Sequence, residues 1–298
     1  MVEHIIDAHS HLWLKQDTVV NGFAIRTKDG NGSRSIFFGE ERQMLPPFMI
    51  DGKNTAEIFL SNMDYAQVGA AVVVQEVIDG NQNAYLTEVQ AKDPDRFFCM
   101  GMAWTLEEAK AVQAAGLRGI AFPGHRMQES LLTLMPIFKL MEEEGMVLSM
   151  CLGETPQQIA EMAEVIQECP NLKVAIGHFG MVTTPVFESQ VKLALEGRNV
   201  MIESGGITWL FNSEFYPYPS AVRCIRQAAD WVGMDRLMWG SDYPRTITAI
   251  TYRMSYDFIT KSAELTAEQK SAFLGENAKQ FYGFNNLPEL PYIKNMSE

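Results

Sequence analysis

Histidine and cysteine are scarce in this chain of 298 residues, with five of the first and four of the second. Cys99, Cys151, Cys169 and Cys224 form no CxxC pair and no secreted-type framework. That excludes a disulfide-stapled scaffold and points to a reducing compartment. Long apolar runs are also missing. The nearest candidate, Val68 to Val74, is only strand-sized, so no membrane-spanning helix is expected. The opening MVEHIIDAHSH has no basic region followed by a long apolar stretch, and no signal peptide is read there. Basic charge is short: 24 Lys+Arg face 37 Asp+Glu, a net charge of −13. That balance argues against nucleic acid or an anionic membrane as partner. The expectation is a soluble cytoplasmic protein.

What the chain does have is regular alternation. Short β-rich runs occur at Ile5–Ala8, Ala70–Gln75, Phe97–Met102, Leu117–Ala121, Val147–Cys151, Lys173–Gly177, Val200–Glu203 and Arg236–Trp239. Several are continuously apolar, as strands covered on both faces should be. Helical patterns lie between them, at Thr55–Val68, Asn81–Lys92, Leu106–Ala115, Leu131–Glu144, Pro156–Glu168, Pro185–Leu195 and Ser220–Val232. Thr155-Pro156 supplies a capping residue followed by proline at the first helical position. Gly116, Gly145 and Gly197 follow helix ends, where left-handed caps are expected. The tail adds helices near Thr248–Ser262, Ala267–Leu274 and Asn277–Tyr282.

Eight such units in one domain, residues 1–298, make the fold class α/β and the architecture a closed (β/α)8 TIM barrel, which takes about 250 residues. An open doubly wound sheet would carry a Gly-rich turn after its first strand, and here that place holds His-Ser-His. The surplus length sits in residues 14–50, far longer than an ordinary loop between strand and helix. Within it, Val19–Arg26 and Arg34–Phe38 flank Lys28-Asp29-Gly30-Asn31-Gly32, a hairpin signal. This segment is expected to be a β-hairpin insertion lying as a lid over the barrel mouth.

Alternate strand residues share a face, so His9 and His11 at the end of strand one can converge on one point. Two imidazole nitrogens at that spacing suit Zn²⁺ or a similar ion. Asp242, in the Gly- and Pro-bounded turn Trp239-Gly240-Ser241-Asp242-Tyr243-Pro244, closes strand eight. In a closed barrel that strand pairs with strand one and sets Asp242 beside the histidines. A carboxylate there can ligate a metal or accept a proton from water; the competing reading is a helix cap. His178 ends strand six and is a catalytic or ligand candidate. Arg126 and His125 after strand four, and Arg245 after strand eight, are positioned to grip a substrate carboxylate, unless the arginines pair with neighbouring acids. Glu203, ending strand seven, is a candidate for substrate hydrogen bonding or for pairing with one of these arginines. The tract Trp209–Tyr218 is rich in rings and fits either a pocket wall or a homo-oligomer interface.

IDAHSHLW, AIGHFG, LMWGSDYPR and GENAKQFYGF, in that order, resemble the amidohydrolase superfamily. The resemblance covers essentially the whole chain and is nearest to the amidohydrolase-related branch. That branch contains lactonases similar to 2-pyrone-4,6-dicarboxylate lactonase and the sugar lactonases. It also contains nonoxidative decarboxylases similar to aminocarboxymuconate-semialdehyde decarboxylase. By resemblance, His9 and His11 are the strand-one ligand pair, His178 the strand-six histidine and Asp242 the strand-eight aspartate. The family's strand-five histidine is replaced by Cys151, which makes a His-His-Cys-Asp site conceivable, since a thiolate can ligate zinc. Strand four lacks the lysine expected of two-metal members, so the resemblance implies at most a single divalent ion, zinc; lactonases of the branch tolerate the missing strand-five histidine, and water held by the histidines without metal is the alternative. The resulting expectation is a hydrolase opening a small, carboxylated lactone. A metal-dependent decarboxylase is the alternative, and a catalytically inert binding barrel a third reading.

Overall fold

The computed structural model describes residues 3–298. Eight parallel strands follow one another around a barrel: β1 (Ile6–Ser10), β6 (Ala70–Val73), β7 (Phe97–Gly101), β8 (Gly119–Phe122), β9 (Val147–Met150), β10 (Lys173–Ile176), β11 (Val200–Glu203) and β12 (Leu237–Met238). Closure comes from backbone bonds between β1 and the segment after β12. Ala8 N–H donates to Trp239 O at 2.9 Å, Asp242 N–H to His9 O at 2.9 Å and His11 N–H to Tyr243 O at 2.8 Å. The chain is therefore a (β/α)8 barrel, with helices between the strands as the periodicity predicts.

Side chains fill the barrel interior. Ala8, Val72, Met100, Ala121, Ala175 and Met238 pack there against Phe281, Tyr282 and Phe284 from the C-terminal segment. Arg118 and Lys173, at the starts of their strands, donate to the carbonyls of Tyr282 and Phe281 at 3.0 and 2.8 Å. The tail thus covers the end of the barrel opposite the strand C-termini. A second, larger core lies between barrel and helices.

Helix signals held where local chemistry dominates. The Pro156–Glu168 helix begins as expected, with the Thr155 hydroxyl accepting from the Gln158 N–H. Gly116 and Gly145 adopt the left-handed conformation. Gly197 does not; a Cβ there would sit 2.7 Å from Ile166 Cγ2, so close packing explains that glycine. The helix expected from Thr248 starts only at Met254, after a separate 3-10 turn at Thr246–Thr248.

The insertion differs from the expected hairpin. It is a four-stranded antiparallel meander: β2 (Asp17–Val20), β3 (Phe23–Thr27), β4 (Arg34–Phe37) and β5 (Glu40–Gln43). Val19–Arg26 is two strands, divided by Asn21-Gly22 with φ of 49° and 82°, the tight turn that Asn-Gly favours. Phe38-Gly39, at 50° and 86°, makes the corresponding turn into β5. The meander lies over the strand C-termini. Its Val19, Val20 and Asn21 line an open cavity of about 290 Å³ with Trp104, Arg126 and Met127.

Candidate active site

β1 carries a bulge: Asp7 aligns with Ala71, yet Ser10 aligns with Val73, so one extra residue is accommodated. The bulge resets the in–out alternation. Ile6 and Ala8 pack inside the barrel, and His9 and His11 then also face inward, into a cavity of about 10 Å³ at its mouth, room for about one water-sized group. Their Nε2 atoms are 3.2 Å apart. Asp242 Oδ1 lies 3.0 Å from His11 Nε2 and 3.7 Å from His9 Nε2. All three residues are buried.

Asp242 is not a helix cap: its oxygens meet His11 Nε2 and, at 2.8 Å, the indole N–H of Trp209, and no backbone N–H. Its φ of 58° is a conformation aspartate tolerates better than most residues. Burial works to raise its pKa, but Arg245, His11 and His178 outweigh burial and hold the carboxyl well below its usual range. Asp242 is ionised at neutral pH.

Each histidine is backed by a carboxylate. His9 Nδ1 meets Glu203 Oε1 at 2.8 Å, and Glu203 Oε2 accepts the Gly205 N–H at 2.6 Å. Burial lowers the His9 pKa, but Glu203, Asp242 and Asp7 overcome it and lift the group to about 9. Behind His11, Asp79 Oδ2 faces Nδ1 at 3.5 Å. Burial and Arg245 bring His11 down to about 3, leaving it neutral. The pocket around His9 and Glu203 requires glycine. A Cβ on Gly240 would stand 2.7 Å from both Glu203 Oε2 and His9 Cβ, and one on Gly177 would stand 2.8 Å from Glu203 Oε1.

His178 begins a left-handed run, with φ of 52° there and 50° at Phe179. Its Nδ1 lies 2.9 Å from Gly205 O. A carbonyl only accepts, so that nitrogen carries the proton and Nε2 is bare when the ring is neutral. The ring centroid is 5.0 Å from that of His9.

The structure thus brings His9, His11, Asp242 and His178 together at one end of the barrel. Cys151 lines the same cavity, but burial pushes its thiol well up. It is outside the group whose donor atoms lie within 4.8 Å of one another: His9, His11 and Asp242. His125 stands further out, with Nδ1 3.3 Å from Cys151 O. Glu203 pairs with His9 and not with either arginine. Both arginines meet acids. Arg245 lies 3.3 Å from Asp79 and 3.4 Å from Asp242, whereas Arg126 directs Nε to both oxygens of Glu76 at 3.0 and 2.9 Å. The Arg126 guanidinium also lies 5.6 Å from the ring centroid of Phe38, in the meander. Its Nη atoms have no hydrogen-bond partner among the described residues.

Glu76, Asp79 and Trp209 were not singled out individually in the sequence. The first two follow the apolar run of β6, and their position at a strand end was the available signal. Of the aromatic tract, Trp209 enters the site, whereas Phe215 is exposed.

The site fits one divalent cation. His9 Nε2, His11 Nε2 and Asp242 Oδ1 would hold it, and carboxylates behind both rings would fix the tautomers that free those nitrogens. His11 Nδ1 and Asp79 Oδ2 are buried and otherwise without partners. They satisfy each other once Nδ1 carries the proton.

The amidohydrolase profile matches residues 6–284, and the chain belongs to that family. No curated protein matches it in sequence. Among solved structures, an amidohydrolase from Burkholderia multivorans with bound zinc aligns at TM-score 0.69 and 18% identity, covering 96% of this chain and 100% of that one. A probable 2-pyrone-4,6-dicarboxylic acid hydrolase from Acinetobacter baumannii, with citric acid bound, aligns at 0.66 and 17%, covering 94% and 99%. The 5-carboxyvanillate decarboxylase of Novosphingobium aromaticivorans, complexed with manganese, aligns at 0.53 and 16%, covering 76% and 80%. At these identities the likeness is one of fold. Among the described residues, no helix is long and apolar enough to cross a membrane.

Proposed function

We propose that this protein is a hydrolase that opens a small carboxylated lactone by attack of water, with zinc as its divalent ion. The observation that carries the reading is the convergence of an ionised Asp242 with two carboxylate-backed histidines in one buried cavity. A divalent ion held there acidifies water and polarises a carbonyl oxygen. The Asp242 carboxylate faces the cavity, takes the proton of the attacking water and returns it to the ring oxygen as the ester C–O bond breaks. Trp209 holds its Oδ2 by one hydrogen bond and so fixes the rotation of the carboxylate. The bare Nε2 of His178 orients the nucleophile through its lone pair. The free Nη groups of Arg126 bind the substrate carboxylate at the boundary between inner and outer cavities. Arg245, already committed to Asp79 and Asp242, tunes the carboxylates and leaves the substrate to Arg126.

The 2-pyrone-4,6-dicarboxylic acid hydrolase likeness supports this substrate class. The decarboxylase likeness supports the other reading, loss of CO2 from an unsaturated or aromatic acid. That reading is the weaker one, because Cys151 stands outside the donor group and supplies no further ligand for a chelated substrate. The purified chain should be assayed on carboxylated and uncarboxylated lactones by proton release, and on unsaturated and aromatic acids by CO2 release, each with zinc and with chelator. Zinc-dependent proton release from carboxylated lactones without CO2 supports hydrolysis; CO2 without ring opening overturns it.

A further inference from the structure

A buried line of hydrogen-bonding groups runs from the meander to the centre of the site. Ser35 Oγ donates to Gln16 Oε1 at 2.8 Å, and Gln16 Nε2 donates to Asp79 Oδ1 at 2.8 Å. Asp79 Oδ2 faces His11 Nδ1 at 3.5 Å, and His11 Nε2 is 3.0 Å from Asp242 Oδ1. Ser35, Gln16, Asp79, His11 and Asp242 are each 1% exposed, so water does not compete for these groups.

The line has one weak step, and that step is informative. A neutral imidazole has one proton for two nitrogens. With the proton on His11 Nε2, Nδ1 and Asp79 Oδ2 are two buried acceptors facing each other with nothing between them, a costly arrangement. With it on Nδ1, the pair becomes a hydrogen bond after closing by a few tenths of an ångström. With the proton on Nε2 that atom bonds Asp242 Oδ1 at 3.0 Å; with it on Nδ1, Nε2 turns a lone pair to the point that His9 Nε2 and Asp242 Oδ1 also face, so a cation held there would replace the bond to Asp242 and favour the Nδ1–H tautomer. Asp79 cannot swing away to avoid the choice, because Gln16 and Arg245 both hold its Oδ1.

We infer that Asp79 is a positioning residue that fixes His11 as its Nδ1–H tautomer, and that the meander holds Asp79 in place through Ser35 and Gln16. The insertion is then part of the apparatus that forms the metal-binding geometry, in addition to lying over the mouth. The inference rests on His9, His11 and Asp242 being the cation-holding centre of the proposed function. It does not depend on which reaction occurs there.

The test uses the full chain, with ring-¹⁵N-labelled histidine and Zn²⁺ as the probe. In the zinc-loaded wild type, His11 should show a slowly exchanging, low-field Nδ1 proton. Asp79→Ala should lose that resonance and bind Zn²⁺ about 10- to 100-fold more weakly in competition with a chelating dye, the usual consequence of removing a ligand's outer partner. Asp79→Asn keeps an acceptor and should recover part of the affinity. Gln16→Leu leaves every candidate ligand in place and should weaken Zn²⁺ binding in the same direction by a smaller factor, which keeps the test decisive if Asp79→Ala fails to fold. An unchanged His11 resonance, or Zn²⁺ affinity within twofold of wild type in folded Asp79→Ala and Gln16→Leu, overturns the inference. Lactone turnover is read separately. Its absence in a wild type that shows the tautomer and binds zinc counts against the proposed reaction and leaves the positioning role standing.

Discussion

Trp209 donates its indole N–H to Asp242 Oδ2 at 2.8 Å, joining the segment after β11 to the turn after β12. The bond fixes the rotation of the carboxylate, and so determines that Oδ1 is the oxygen facing the two histidines. Trp209 is partly exposed, so it also forms part of the wall that a substrate meets.

Trp209→Phe keeps a ring at that wall and removes only the donor. A hydrogen bond to a charged group contributes about 1.5–3 kcal/mol, so kcat/KM should fall by about tenfold or more. Steady-state kinetics checks this; unchanged values would mean that Asp242 is oriented by Arg245 and His11 alone.

The His9–Glu203 pair predicts a pH dependence of stability. His9 is raised from 6.5 to about 9 in the folded chain, so its contribution is complete below about pH 6.5 and is lost as pH rises through about 9. With chelator present, Tm should therefore decline across that window. Glu203→Gln removes the carboxylate, and its Tm should be lower at pH 7 and much flatter with pH. Thermal unfolding at a series of pH values measures both.

Arg126 tests substrate charge. Arg126→Gln retains hydrogen-bonding capacity toward Glu76 and loses the cation. KM for carboxylated lactones should rise by about tenfold or more, while uncarboxylated analogues should be little changed. Equal effects on both classes would place Arg126 in structure and not in substrate recognition.

Replacing residues 17–43 with a short Gly-Ser linker should leave the barrel folded, because both large cores lie outside the meander. KM should rise, since Val19, Val20 and Phe38 leave the outer cavity and Arg126. The kcat should fall as well. Circular dichroism and kinetics on the same preparation separate the two effects.

Much of this arrangement was legible in the residues, for definite reasons. The (β/α)8 order follows from apolar strands alternating with capped helices. The adjacency of His9, His11 and Asp242 follows from barrel closure, which sets strand eight beside strand one. The bulge in β1 was not legible, because an extra residue changes no composition and shows only as a register shift between Asp7 and Ser10. The first turn of the insertion was legible in Asn21-Gly22, but the strand-like residues on either side obscured it. Glu203 shows the limit most clearly. Its strand-end position marked it for the site, yet its partner, His9, depends on Gly177, Gly205 and Gly240 leaving room. For Asp79 and Glu76 the one local signal is their place after the apolar run of β6; that they meet His11 and Arg126 depends on three-dimensional packing.

The central claim is that Asp242 takes the proton of the attacking water, and Asp242→Asn on a carboxylated lactone tests it most directly. The substitution keeps the size and a hydrogen-bonding oxygen but removes the base. Turnover at saturating substrate and saturating zinc should fall by about 10² to 10⁴, the range expected for a positioned acid–base group. Substrate affinity should change far less, and Tm should fall, because the contacts that hold the Asp242 carboxyl below its usual range stabilise the fold and are lost with the charge. Turnover within a few-fold of wild type would contradict the account and make Asp242 a structural residue.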